Sequence, residues 1–397
     1  MNFIFISPQF PRTYWNFCDR LKRNGVNVLG IGDTPYDALP PETRGALNEY
    51  YRVNDMGNYD EVFRAVAFFS FKYGKIDWIE SNNEHWLEQD ARLRTDFNVT
   101  TGVGLSEINA YKSKSAMKAF YARGGVPTAR FRRVTTLEAA ERFVAEVGFP
   151  VVVKPDVGVG AANTWALHDD AELRGFFANP PSADYIMEEF VHGDIFSFDA
   201  ITDGNCNILF ESMTAWPPSI MDIVNLDLDL SYYVSRDVSA ALKALGRRTV
   251  AAFGARRRFV HLEFFRLRET KEGLGAAGDF VALEVNMRPA GGYTPDMMNF
   301  AHSTDVYQIW ADMVTFGERR VPAAEREYFC VYASQKDSRR PYEHSHEEIL
   351  SRYGNAIVMC ERMPELMVRT MGNQMYTAKF DTLEEVEAFR NFVLERK

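Results

Sequence analysis

The stretch 279-DFVALEVNMRPAGG-292 decides the fold. Extended backbone sends successive side chains to opposite faces. Val281, Leu283, Val285 and Met287 then line one face, all apolar, and Ala282, Glu284, Asn286 and Arg288 line the other. A carboxylate, an amide and a guanidinium stand in a row above an apolar underside. A half-exposed antiparallel strand shows the same alternation by default, so the preceding segment matters. In 258-RFVHLEFFR-266, His261, Glu263 and Phe265 share a face, with Val260, Leu262 and Phe264 opposite. If the two strands pair through the loop at 269–278, Glu263 and Glu284 converge. Two carboxylates and an amide oxygen are hard ligands that suit magnesium or manganese. Magnesium takes few protein carboxylates and completes its shell with waters and phosphate oxygens. That points to a nucleotide phosphate as the missing partner, with Arg288 placed to neutralise charge on a transferring group.

Upstream, 150-PVVVKPDVGVGAANT-164 carries Lys154 at the end of an apolar strand. The loop after it, with Gly158, Gly160 and Ala161, can offer backbone N–H groups to phosphates. It is neither a Walker A loop nor a GxGxxG, and a strand-end surface lysine is the plain alternative. The segment 113-SKSAMKAFYARGGVP-127 reads as a helix capped by Ser113 and stopped by Gly124 and Gly125. By default its Lys114 is a solvated lysine. In 185-YIMEEFVHGD-194 an apolar strand runs through Glu188 and Glu189 into a hinge at Gly193. Its backbone at Phe190 and Val191 can face an adenine. A solvent-facing acidic pair is the alternative.

The first hundred or so residues alternate strand and helix: NFIFI, VNVLGIG and DWIES separated by helical stretches. That order gives a parallel, doubly wound sheet whose ligands sit at the carboxyl ends of the strands. Ser7 to Gln9 and Glu80 to Glu84 lie at such ends, as substrate contacts or as polar loops. AWPPSIMDIVNLDLDLSYYV (215–234) resists assignment and can be a substrate-facing loop. Trp216 to Asp222 and Gly291 to Tyr293 are further candidate contacts. Beyond Glu325, strands at YFCVYAS, NAIVMC and MVRTMGNQMYTAKF and a closing helix LEEVEAFRNFVLER form a small α/β appendage. The fold class is α/β, with α+β character in the central part. The expected domains are 1–108, 109–322 (divided at 185/186) and 323–397.

With 46% hydrophobic and 25% charged residues the chain reads as a globular protein with ample core material. Its net charge of -10 argues against nonspecific nucleic-acid binding, which needs a basic face. No apolar run approaches the roughly 20 residues of a membrane span. The opening MNFIFISPQF lacks the basic and apolar regions of a signal peptide and reads as a strand. Cys18, Cys206, Cys330 and Cys360 are scattered, as expected of reduced thiols in a cytoplasm. His344 and His346 in YEHSHEE read as a solvated helix start rather than a metal site.

Taken in order, these pieces resemble the ATP-grasp superfamily over essentially the first 320 residues. They comprise the doubly wound start, Lys114 twelve positions before Val126, FPVVVKP with its glycine loop, MEEFVHG, HLEFF and LEVNMRPAGG. The resemblance implies an N-terminal Rossmann-like domain before an ATP-grasp domain. It implies that Lys114 and Lys154 contact ATP phosphates and that the loop from Asp156 to Asn163 closes over them. The backbone from Glu188 to Val191 would hold adenine. Glu263, Glu284 and Asn286 would bind one or two magnesium ions, and Arg288 would face an acyl phosphate. Many relatives carry a ribose-binding acid two residues after the hinge glycine. Here that position is Ile195, and Asp194 is the nearest substitute. The implied activity is an ADP-forming ligase that joins a small-molecule carboxylate to an amine, with Lys154, Glu284 and Arg288 catalytic. A homodimer is compatible with it. A bicarbonate-activating relative and a nucleotide-binding regulator without turnover are the rival readings.

Overall fold

The computed structural model describes residues 1–158, 163–179, 183–217, 228–337 and 341–397. Among these residues the strands form three sheets. The first joins β1 (Asn2–Ile6), β2 (Asn27–Gly32), β3 (Glu49–Arg52) and β4 (Trp78–Glu80) in the order β3-β2-β1-β4, all parallel. Both faces are covered, which is why these strands read as continuous apolar runs rather than alternating ones. Ile4, Ile6, Leu29 and Ile31 pack with Val62, Val66 and Phe69 of the helix Tyr59–Tyr73. Phe3 and Phe5 pack on the other side with Phe17 and Trp310. The sheet therefore rests against the helix Val306–Phe316, more than two hundred residues away in sequence.

The second sheet joins β5 (Phe131–Arg133), β6 (Val151–Pro155), β7 (Trp165–Leu167) and β8 (Tyr185–Glu189) in the antiparallel order β5-β8-β6-β7. Val151, Val153 and Met187 pack with Ala140, Phe143 and Leu173 from the helices Leu137–Val147 and Asp170–Ala178.

The third sheet has eight strands: β9 (Gly193–Thr202), β10 (Ile208–Trp216), β11 (Ser231–Ser235), β12 (Arg258–Leu267), β13 (Phe280–Asn286), β14 (Phe329–Gln335), β15 (Ile357–Arg362) and β16 (Gln374–Phe380). Their order is β13-β12-β9-β10-β11-β14-β16-β15, antiparallel throughout. The C-terminal strands thus continue the central sheet. Phe196, Phe198, Leu262, Phe264 and Val285 form one face's core with Met117 and Tyr121 of the helix Lys114–Arg123 and Leu242 and Val250 of the helix Ala240–Phe253. At Gly246 a Cβ would sit 2.4 Å from the Phe198 ring, so only glycine lets that helix lie so close.

Three sequence expectations change. SYYV, at the end of the stretch left unassigned, belongs to a paired strand (Ser231–Ser235), and residues 218–227 of that stretch lie outside the described residues. The segment read as one strand from Met367 begins with the helix Glu365–Met371, which Pro364 opens and Gly372, at φ 76°, closes. Strict alternation along β13 also fails. The register pairs Glu263 with Glu284 but Phe264 with Ala282, leaving Leu283 as an extra residue, a β-bulge. Ala282 therefore turns to the same core as Val285 and Met287, while Val281 lies on the opposite side with Val191, Leu267 and Leu274. The bulge lets Glu284 and Asn286 point away from the core without exposing Phe280 and Ala282 beside them. Among the described residues no helix is long and apolar enough to cross a membrane.

Candidate functional site

The site lies on the face of the third sheet that the second sheet overhangs. Antiparallel pairing places Glu263 directly opposite Glu284 and His261 opposite Asn286. Lys114, at the first turn of its helix, reaches Glu284 Oε1 at 2.9 Å, and its Nζ donates to the Gly158 carbonyl at 3.3 Å. Asp156 fixes that helix start. It accepts from Ser115 N and from the Ser113 hydroxyl, and its own carbonyl accepts from Lys114 N at 2.8 Å. The base of the glycine loop and the first lysine are therefore one rigid corner.

Lys154 and a second lysine, Lys118, converge on Glu188. Both Nζ atoms lie 2.6 Å from its carboxylate, and all three side chains are buried. Burial pushes the Glu188 carboxyl up, but Lys118 and Lys154 outweigh it and hold it at about 2. Glu284 behaves differently. Burial raises it, Lys114 pulls it down less strongly, and the like charge of Glu263 raises it again. Such a carboxylate is short of positive charge.

A buried line of polar groups extends this face. His261 Nδ1 lies 2.7 Å from Asp199 Oδ1 and its Nε2 3.1 Å from Glu263 Oε1. Burial lowers the imidazole's affinity for protons, but Asp199 and then Glu263 outweigh it and hold His261 up at about 9. It is an imidazolium at neutral pH, oriented by a carboxylate that itself accepts from the Ser197 hydroxyl at 2.7 Å. Trp216 closes the line, donating to Ser197 Oγ at 3.3 Å and stacking on Tyr232.

The residues fit a magnesium-bearing nucleotide. Glu263 and Glu284 face each other with the Asn286 amide beside them, and the buried Asn286 Nδ2, which has no partner among the described residues, is a donor suited to a phosphate oxygen. Among the described residues no cluster of three or more His, Cys, Asp or Glu groups forms a self-contained metal cage. Two carboxylates and an amide are what magnesium uses when phosphate oxygens and waters supply the rest. Beside them, Val191, Ala129, Leu267, Leu274 and Val281 make a small apolar cluster between the two sheets.

Not every expected residue converges. Gly160 and Ala161 lie outside the described residues. Asp194 sits opposite Arg266 in the β9–β12 register and is bound by Arg268 at 2.6 Å and Arg266 at 3.4 Å. It alternates with Ile195, Ser197 and Asp199, so it points away from the face that carries Glu263. The structure therefore takes Asp194 out of the site. The Glu189 side chain is held by Arg130 and Lys271, and Lys271 also donates to the Phe190 carbonyl at 2.6 Å. Lys118 and Asp199 went unassigned in the sequence. Lys118 stands four residues from Lys114 on one helix, the spacing that aligns two side chains. Asp199 alternates with apolar Phe198 and Ala200, a polar residue at an inward position.

Residues 112–217 match the phosphoribosylglycinamide synthetase, ATP-grasp (A) domain family. The structure superposes on an L-amino acid ligase from Bacillus licheniformis with a TM-score of 0.71, covering 100% of this chain and 98% of that one at 15% identity. The match to an ATP-grasp (A) domain therefore covers residues 112–217, and over its whole length the chain shares its fold with that ligase. ATP and magnesium are the characteristic cofactors of ATP-grasp proteins. An N5-carboxyaminoimidazole synthetase from Staphylococcus aureus, solved with ADP, gives a TM-score of 0.70 over 99% of this chain and 97% of that one at 13% identity. In sequence, the chain is 25% identical to the L-arginine-specific L-amino acid ligase of Bacillus subtilis over 284 residues, 69% of this chain. That match spans 65% of the relative's length, just under two thirds.

Proposed function

We propose that this protein is an ATP-grasp, magnesium-dependent, ADP-forming ligase that activates a substrate carboxylate as an acyl phosphate and couples it to an amine. The observation that carries the reading is Glu263 paired directly opposite Glu284, with Lys114 Nζ 2.9 Å from Glu284 Oε1 and with Asn286 and Arg288 next along the same chain segment. A pure nucleotide binder has no use for Arg288 beyond the metal ligands. The reading assigns Lys114 and Lys154 to the phosphates, with Glu188 and Lys118 holding Lys154 in place. The apolar cluster around Val191 and Val281 is assigned to the base. Glu263, Glu284 and Asn286 would hold magnesium, which when bound spreads the charge of the transferring phosphoryl group.

The chain's own groups then do three things. Lys114 and Lys154 neutralise the phosphates and orient the γ-phosphoryl group toward the substrate carboxylate. Arg288 offers guanidinium N–H groups to the oxyanion that forms when the amine attacks the acyl phosphate. His261 holds the Glu263 carboxylate in a fixed orientation, so that little reorganisation is needed during turnover. The amine displaces inorganic phosphate and loses a proton, giving an amide, ADP and phosphate.

The test is ADP release measured against paired carboxylates and amines. Release that requires both supports the ligase. Release stimulated by bicarbonate without a second carboxylate favours a bicarbonate-activating relative, and ATP binding without turnover on any pair contradicts the proposal.

A further inference from the structure

The hinge after β8 is gripped by the hairpin that joins β12 to β13. Three consecutive hinge residues are held. The Lys271 ammonium donates to the Phe190 carbonyl at 2.6 Å. The Val191 side chain packs with Leu274 in the small apolar cluster. The His192 carbonyl accepts from Arg268 N at 3.0 Å.

The hairpin tip is itself fixed. Lys271 N donates to the Gly275 carbonyl at 2.9 Å, and the Lys271 carbonyl accepts from Leu274 N at 3.0 Å and from Gly275 N at 3.1 Å. Gly273, at φ 76°, makes this tight turn possible. Asp279 accepts from Ala276 N at 2.8 Å and closes the far side. Lys271 also lies 3.3 Å from Glu189 Oε2, but Arg130 already holds that oxygen at 2.7 and 3.0 Å. Glu189 therefore does not depend on Lys271 for its neutralisation. The Phe190 carbonyl does depend on it, having no other partner among the described residues.

A peptide unit is planar and trans, so its C=O and N–H point in opposite directions. With the Phe190 carbonyl turned to Lys271, the Val191 N–H is turned away from it. Val191 is 7% exposed, and its N–H has no hydrogen-bond partner among the described residues. Buried backbone donors are almost always paired, so this one is left for a ligand. A lone N–H donor selects a base whose ring nitrogen accepts there, as adenine N1 does. Hypoxanthine carries a hydrogen on that nitrogen and sets donor against donor. We infer that Lys271 is a positioning residue for the base: it fixes which way the peptide between Phe190 and Val191 faces, and so makes the hinge prefer adenine to hypoxanthine. Without Lys271 the peptide can turn over and present the Phe190 carbonyl, which accepts from hypoxanthine. The inference rests on reading the hinge from Glu188 to Val191 as the base contact, and it adds what sets that contact.

The test is calorimetric binding to the full chain, with no acid or amine present. The probes are MgADP, MgIDP and magnesium tripolyphosphate, which carries no base. The wild type should bind MgADP about 10- to 100-fold more tightly than MgIDP. Lys271→Met should cut that ratio below about threefold, chiefly by weakening MgADP, and leave tripolyphosphate binding unchanged. Lys271→Arg, which keeps a charged donor, should retain most of the ratio. Each ratio is taken on one sample, so a partly unfolded variant does not blur it. No preference in the wild type, a wild-type ratio in Lys271→Met, or an equal loss for all three probes overturns the inference while the nucleotide site stands. Failure of the wild type to bind MgADP overturns the nucleotide reading as well.

Discussion

Neutralising Glu284 should separate catalysis from stability. In the folded protein its carboxylate is raised by burial more than Lys114 lowers it, and Glu263 adds repulsion. A carboxyl raised above its unfolded value costs stability once the pH exceeds that unfolded value. At neutral pH, Glu284→Gln removes this cost and loses the 2.9 Å pair with Lys114. The amide oxygen can still accept from Lys114, which also keeps its contact with the Gly158 carbonyl. The two effects oppose each other, so unfolding free energy should change by no more than about 1 kcal/mol. Catalysis has no such compensation, because an amide oxygen carries no net charge for a divalent ion. Losing one charged ligand should lower kcat/KM by about a hundredfold or more, about 2.7 kcal/mol. The assay is coupled ADP release across a magnesium titration, beside urea denaturation of the same samples. Val285→Ile, on the core side of the strand, is the control: overpacking should cost about 1–3 kcal/mol with little change in kcat. Near-wild-type turnover by Glu284→Gln would refute the metal assignment, and a loss of several kcal/mol would make Glu284 a structural residue.

Glu188→Gln should behave in the opposite way, leaving Lys118 and Lys154 buried without an anion at a cost of about 3–5 kcal/mol near pH 7. In the wild type, the stabilisation from a Glu188 held at about 2 is present above roughly pH 4.5 and disappears as pH falls toward 2, about 3 kcal/mol in all. Denaturant melts at several pH values should show this acid-sensitive component in the wild type and not in the variant. Asp296 is buried, accepts from the Tyr307 hydroxyl at 3.0 Å, and is pushed by burial up to about 7. Its ionisation should erode stability as pH climbs from about 4 to 7, so Asp296→Asn should gain on the wild type over that interval by at most about 4 kcal/mol. Parallel pH–stability curves for the two proteins would contradict this.

The sequence was most legible where a physical period or a strand end defined the residue. Alternation in β12 and the hairpin that follows it put Glu263 opposite Glu284, as observed. The parallel first sheet followed from strand–helix order. Alternation failed at Leu283 because a bulge depends on the partner strand, which one strand's own residues do not report. The segment before Gly372 looked strand-like because Val368 and its apolar neighbours suit either state, and Pro364 and Gly372 were weak signals in a short stretch. Asp194 was placed by analogy one residue out of step, and in a strand one residue is the other face. Long-range partners were the least legible. Nothing local to Glu84 names Arg288, whose Nε donates to it at 3.1 Å, nothing local to Lys118 names Glu188, and His261 was seen on the metal face without its Asp199 partner. Those contacts exist only once three sheets are assembled.

The most direct test of the ligase reading is a two-substrate experiment: ADP formation by the purified chain with MgATP, a carboxylate panel and an amine panel, singly and in pairs. ADP and an amide product that appear only when carboxylate and amine are both present would match the prediction. ADP release at the same rate without any amine or carboxylate, or with bicarbonate alone, would contradict it.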